Sequence, residues 1–224
     1  MKLNNIMKVS MVMAAVVIPV TNSFADSMKN DGIHVHLDAN ALAPHLESEH
    51  RALWQKPDEV MDLIGNVRDK KVLDIGAGTG YFSFRLANKG ASVIAADVDK
   101  AFIKIIKEKK ERLKVPDTAL VSRLVPIDSP MLSANEVDIA LIVDTYHHID
   151  NRIAYFKEVN QGLKDGGKLI VIDYKVDSKI QDGPPLLIRL NERTVKKELE
   201  KAGFSNIVIN TQLLKKQYIV QAYK

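Results

Sequence analysis

The chain has 224 residues, 46% of them hydrophobic and 27% charged. This suits one substantial globular domain and excludes collagen-like, extensively disordered and multi-span membrane classes. Its formal net charge of +4 includes Lys2 and Lys8 of an acid-free N-terminal segment, and the +2 that remains is too small to argue for a nucleic-acid partner. The absence of cysteine excludes disulfides, thiolate catalysis and cysteine-ligated metal, and leaves the compartment open.

Met11 to Val20 (MVMAAVVIPV) is an unbroken apolar run behind the two lysines. It is shorter than the ~20 apolar residues that cross a bilayer. Ser23-Phe24-Ala25 then places small residues three and one before a cut ahead of Asp26. Charged, apolar and small-residue regions in that order describe a secretory signal peptide over residues 1–25. The expected product is exported, periplasmic or secreted, with no stable membrane span after cleavage. Residues 26–56 have poor periodicity and read as an N-terminal extension over the active site. They hold His34, His36, His45 and His50, four of the six histidines. His34 and His36 would share one face of a strand, but no three ligands have a recognisable spacing, so no metal is expected.

From residue 57 the pattern alternates. Lys71 to Ile75, Ser92 to Asp97, Ala119 to Val125, Asp138 to Asp144 and Lys168 to Tyr174 are short β-rich runs, several apolar on successive residues as in strands buried on both faces. Between them lie helical patterns. Asp99 is placed to cap one with Phe102, Ile105 and Ile106 on a face, and Asp150 one with Ile153, Phe156, Val159 and Leu163 inward. Lys164 to Gly167 reads as a stop and tight turn. Such alternation predicts an α/β fold, with a mostly parallel sheet and helices on both faces. Gly183-Pro184-Pro185 breaks the next stretch into an excursion over the sheet. Glu192 to Ala202 is helical, and Ser205 to Thr211 and Lys216 to Ala222 are joined too closely to be anything but antiparallel.

The sharpest motif is Val72-Leu73-Asp74-Ile75-Gly76-Ala77-Gly78-Thr79-Gly80-Tyr81-Phe82, a strand, a glycine loop and a helix start. A dinucleotide loop wants glycines at relative positions one, three and six. Here they stand at one, three and five, with Asp74 two residues before the first. A pyrophosphate has no use for that carboxylate, whereas the cationic sulfonium and amino group of S-adenosylmethionine do. Asp97 ends the next strand, 17 residues beyond Gly80, where a carboxylate can accept ribose hydroxyls.

From about Trp54 to the C-terminus the chain resembles the class I S-adenosylmethionine-dependent methyltransferases, and within them the small-molecule branch of the ubiquinone and menaquinone methyltransferases. The residues that carry this are VLDIGAGTGYFS, Tyr146-His147-His148, Leu163 to Leu169 and Glu198 to Phe204 (ELEKAGF). The resemblance implies a Rossmann-like seven-stranded sheet with its last strand antiparallel, over a domain of residues 57–224. It implies S-adenosylmethionine as cofactor, held by Asp74, Gly76, Ala77, Gly78 and Gly80, with Asp97 and Val98 at the ribose. It also implies Asp128 near the adenine, Asp144 beside the methyl group, and Trp54, Gln55 and Pro57 over the cofactor. Asp128 reads equally as a turn residue beside Pro126 and Pro130.

Methyl transfer needs the acceptor aligned with the sulfonium and, for a hydroxyl or protonated amine, a base. His147 and His148 are the candidates, His147 slightly favoured, and Tyr146 could steer the acceptor. Asp144-Thr145-Tyr146-His147 lacks the paired prolines common among amino-group methyltransferases, which favours a small-molecule acceptor. The other readings are an exported binding protein of this fold and an NAD-dependent oxidoreductase.

Overall fold

The computed structural model describes residues 39–224. The segment read as a signal peptide, with His34 and His36, lies outside these residues. Seven strands form one sheet in the order β3-β2-β1-β4-β5-β7-β6. They are β1 (Lys71–Ile75), β2 (Ser92–Asp97), β3 (Leu120–Leu124), β4 (Val137–Val143), β5 (Leu163–Tyr174), β6 (Ser205–Asn210) and β7 (Gln217–Tyr223). The first five pair in parallel, and β7 runs antiparallel to both β5 and β6. The expected α/β class and antiparallel last strand are therefore present. The chain order reverses between β2 and β4, on either side of β1, and open α/β sheets bind ligands at the carboxyl ends of such strands.

Alternate strand residues enter two cores. Leu73, Ala140, Ile142, Val171 and Val220 face α6 (Arg152–Gly162) and α7 (Glu192–Lys201), where Phe156, Val159, Val195 and Leu199 meet them. Val72, Val93, Leu141, Ile170 and Ile219 face the other way, with Val60 and Ile64 of α3 (Pro57–Ile64), Phe82 and Leu86 of α4 (Tyr81–Asn88) and Ile106 of α5 (Lys100–Arg112). Burial on both faces is why the strands read as continuous apolar runs.

Residues 39–56, without a clear period in the sequence, form α1 (Ala39–Leu46) and α2 (Glu49–Gln55). Ser48 caps α2 by accepting from the Arg51 N–H. Lys56, at φ 48°, joins α2 to α3, whose first residue is Pro57. Ala39 and Leu42 pack on Phe102 of α5.

Asp99 accepts from the Ala101 N–H at 2.8 Å and caps α5, as expected. Asp150 does not cap α6: Asn151 holds the cap position and makes no side-chain bond there. Asp99→Ala is therefore expected to cost about 1 kcal/mol in chemical denaturation, and Asp150→Ala less than about 0.5 kcal/mol.

Candidate functional site

β1 ends at Ile75, and the chain turns through Gly76, Ala77, Gly78 and Thr79 to Gly80, the N-cap of α4. Gly76, Gly78 and Gly80 have φ of 67°, 56° and 79°. The left-handed conformation recurs at every second residue, which accounts for glycine at one, three and five. Gly76 has a second reason, because a Cβ there would lie 2.5 Å from the Thr145 side chain. Two bonds tie the loop to β2. The Ala77 N–H donates to the Ala96 carbonyl at 3.0 Å, and the Gly78 N–H to one oxygen of Asp97 at 2.8 Å. The other Asp97 oxygen accepts from the Asp99 N–H at 2.9 Å.

A cleft opens above the carboxyl ends of β1 and β4. Asp74, Gly76, Ala77 and Gly78 form one wall, Val143, Asp144 and Thr145 the other, and Leu46 and Arg51 reach in from α1 and α2. Asp74 accepts from the Ser83 hydroxyl at 2.6 Å. Asp144, at φ 54°, accepts from the side-chain amides of Gln55 and Gln217. Arg51 donates to the Leu46 carbonyl and to Gln55, and its guanidinium carbon lies 4.1 Å from the Tyr81 ring centroid. The segment is fastened further by Glu47, which accepts from Thr79 at 2.6 Å and pairs with Lys109 at 2.7 Å.

Burial raises the Asp74 carboxyl to about 6, although the Ser83 bond and Arg51 oppose it. Burial raises Asp97 likewise to about 6, and Asp144 to about 7 with Asp173 adding to the shift. Burial lowers the pKa of Arg51, against the attraction of Asp144 and other neighbours. Buried carboxylates facing one guanidinium suit a ligand with two cationic groups and a carboxylate. The Tyr81 hydroxyl is buried without a hydrogen-bond partner among the described residues, so the wall has a polar atom left to satisfy.

Of the residues singled out for the cofactor, Asp74, Gly76, Ala77, Gly78 and Asp144 line this cleft. Gly80 and Asp97 support the loop from behind. Half-buried Val98 packs on the core, and Asp128 sits exposed in a turn and is not among the residues that line the cleft. Tyr146 requires a correction. It is fully buried, stacked on Phe156 at 4.7 Å, and donates its hydroxyl to Glu198 at 2.9 Å. The turn after β4 aims it into the apolar layer beneath α6 and α7, where it cannot steer an acceptor. His147 is buried beside β5, its Nδ1 2.9 Å from Asp173 and its Nε2 without a hydrogen-bond partner among the described residues. The half-buried His148 ring lies 4.0 Å from that of His147. Trp54 is half-buried, 5.8 Å from the Tyr174 ring, and Gln55 is fully buried on Asp144. His45 and His50 are exposed.

Sequence reasoning missed Arg51, Gln217 and Asp173. Asp173 had a visible signal, an acid inside the otherwise apolar run LIVIDY. Arg51 and Gln217 had none, since their roles arise from elements far apart in the chain.

A family model described as a methyltransferase domain matches residues 73–171. An uncharacterised methyltransferase of Mycobacterium tuberculosis is 32% identical over 113 residues, which is 50% of this chain and 43% of that protein. A tRNA U34 carboxymethyltransferase of Vibrio atlanticus is 22% identical over 179 residues, 74% of this chain and 54% of that protein. The chain thus spans about half or less of the length of these relatives. Among solved structures, an S-adenosylmethionine-dependent methyltransferase from Aquifex aeolicus superposes with a TM-score of 0.73 at 24% identity, covering 84% of this chain and 98% of that one. The Haemonchus contortus phosphoethanolamine N-methyltransferase 2 complex with S-adenosylmethionine gives 0.64 at 16% identity, over 76% of this chain and 52% of that one. Residues 73–171 carry a methyltransferase domain, set in a chain that has the fold of the S-adenosylmethionine-dependent methyltransferases.

Proposed function

We propose that this chain is a class I S-adenosylmethionine-dependent methyltransferase acting on a small-molecule acceptor. The observation that carries the reading is the charge pattern of the cleft: Asp74 and Asp144 flank the glycine loop, with Arg51 above them. Asp74 and Asp144 would hold the amino and sulfonium groups, Arg51 the carboxylate, and the loop over Asp97 the ribose. Bound there, the cofactor supplies a methyl group whose bond to sulfur breaks toward sulfur. Gln55 and Gln217 keep Asp144 oriented, and α1 and α2 exclude water. His147 is the group we assign to take the acceptor's proton. The resemblance of the loop and of Tyr146-His147-His148 to the quinone branch supports a small, partly apolar acceptor over a nucleic acid.

Titration calorimetry with S-adenosylmethionine, S-adenosylhomocysteine and NAD tests the cofactor. Binding of the first two and not the third is expected, and preference for NAD would reject the reading. The pH dependence tests the carboxylates. Their folded pKa values of about 6 to about 7 lie above the ordinary 3.8. Their contribution to ligand-free stability is therefore complete below about pH 4 and lost as the pH rises through about 6 to 7. A cationic ligand favours the ionised forms, so binding releases protons. Affinity is expected to rise between about pH 5 and pH 7.5, by up to tenfold per unit for each proton released. Constant affinity across that range would remove Asp74 and Asp144 from the ligand site.

We further infer export with cleavage near Asp26, on the charged, apolar and small-residue order of residues 1–25. No helix among the described residues is long and apolar enough to cross a membrane. The intact mass of protein from its native cells should correspond to a start at Asp26, and a retained Met1 would refute cleavage.

A further inference from the structure

Charge is unevenly spread over the chain. Residues 100–124 hold eight basic and three acidic side chains, a net +5 within a total of +4. They run from α5 to the edge strand β3, and a groove of about 460 Å³ lies between the two. Lys107, Lys110 and Lys114 line one side of it, and Val121 and Ser122 the other. Of the two acids there, Asp117 is paired with Lys110, which leaves Glu111 against two lysines. Five of the ten large apolar side chains exposed among the described residues also stand between residues 113 and 131: Leu113, Val121, Leu124, Ile127 and Met131. The backbone of β3 is open on this side. The Ala119 carbonyl accepts from the Val93 N–H, and the Val125 N–H donates to the Asp97 carbonyl. Successive residues of a strand alternate, so 121 and 123 face β2 as well, and Ser122 and Leu124 turn their N–H and C=O groups outward. No strand meets them, because β3 ends the sheet. Sheet edges are commonly blunted by proline, bulges or charge. The other edge, β6, has a register shift between Ser205 and Val208. β3 pairs with β2 in unbroken register and has no proline. Its one charge, Arg123, is tied to Glu136 at 2.8 Å and to the Met131 carbonyl at 2.7 Å.

We propose that this edge docks an extended acidic segment of a partner protein, which adds to β3 as an eighth strand. Main-chain bonds to Ser122 and Leu124 set its register. The side chains of the added strand alternate between the two faces of the sheet. Leu120 is in register with Val93, on the α5 side, and Val121 with Ile94, on the side of α6 and α7. One set of partner side chains therefore meets the lysines of α5, which selects acidic residues. The other set meets the face of Val121, which selects apolar ones. The segment recognised is acidic and apolar in alternation. A second copy of this chain fits poorly, since pairing β3 with β3 about a twofold axis normal to the sheet sets one lysine row beside the other. An anionic membrane or a nucleic acid satisfies the lysines and leaves the outward backbone groups without partners in register. None of the groove residues lines the cofactor cleft, so the proposal does not depend on the cofactor assignment.

The test uses the full chain and a dye-labelled peptide of four Glu-Val repeats, with Lys-Val and Glu-Pro peptides of the same length as controls. Fluorescence anisotropy should show binding of the Glu-Val peptide and of neither control. That binding should slow amide hydrogen exchange at Ser122 and Leu124, read by NMR. Lys107→Glu combined with Lys114→Glu should raise the peptide Kd about tenfold or more, with the unfolding midpoint unchanged. Ser122→Pro deletes one outward donor at a position where a sheet edge accepts proline, and should weaken binding too. No binding of the Glu-Val peptide, equal binding of the Glu-Pro peptide, unchanged exchange at Ser122 and Leu124, or an unmoved Kd after charge reversal would overturn the proposal. Phosphatidylglycerol vesicles and a duplex RNA serve as competitors. Tighter binding of either, lost on charge reversal, would assign the surface to lipid or nucleic acid and overturn it as well. Dimerisation that protects the same amides without peptide would assign the edge to a second copy instead.

Discussion

Asp97→Ala is expected to weaken S-adenosylmethionine binding by about 1–3 kcal/mol, or roughly 5- to 150-fold in Kd. The residue ends β2, 1% exposed, with one oxygen on the Gly78 N–H and the other on the Asp99 N–H. Alanine removes the carboxylate assigned to the ribose and orphans two backbone donors. The Gly78 N–H would lose the bond that draws the loop against β2, so the loop would relax where it should be stiff. Asp97→Asn retains one acceptor oxygen and should lose less. Calorimetry on both variants checks the order, and equal affinity of alanine variant and wild type would exclude Asp97 from the site. Charge alone does not decide the sign of the stability change. Burial raises this carboxyl to about 6, so its removal relieves desolvation while the two lost bonds oppose it.

The second large effect concerns Gly76. Gly76→Ala should destabilise the fold by about 2–4 kcal/mol, read from chemical denaturation. Two costs add. The backbone is at φ 67°, where an L side chain is strained, and the new Cβ would meet Cγ2 and Oγ1 of Thr145 at 2.5 Å. Thr145 cannot retreat freely, because its hydroxyl donates to the Val143 carbonyl at 3.0 Å and Asp144 precedes it. Thr145→Ala in the same chain should restore about half of the loss, since it deletes both of the closest atoms and leaves the strain and the Cβ contact. A double-mutant cycle without coupling would show that the clash is not what makes glycine necessary.

Local pattern made much of this molecule legible. The apolar runs of β1, β2, β4 and β5 are buried on both sides, and that requirement is written into successive residues. The glycine spacing follows from φ at three positions, a property of the chain itself. Asp99 as a cap is equally local. Asp150 shows the limit, since the cap falls one residue later, at Asn151. Tyr146 shows it more clearly. It stands beside His147, yet a tight turn sends the one into the core below α6 and α7 and the other toward β5. Adjacent residues thus pack against different elements, and no local pattern distinguishes them.

By itself, then, the order of residues determined the alternating α/β sheet, the reversal beside β7 and the loop that suits a sulfonium nucleoside over a diphosphate, because each depends on short-range periodicity or on backbone freedom. Tertiary structure alone decided that Gln55 of α2 reaches Asp144, that Arg51 shares its cleft, that Gln217 meets it from β7, and that the Asp173 carboxylate lies against Nδ1 of His147. Those contacts join residues up to 89 positions apart, and the Gln55 amide that also donates to the Gln217 oxygen spans 162. No local rule carries information over that separation, whereas a sheet that places β4, β5 and β7 side by side brings their ends within hydrogen-bond reach.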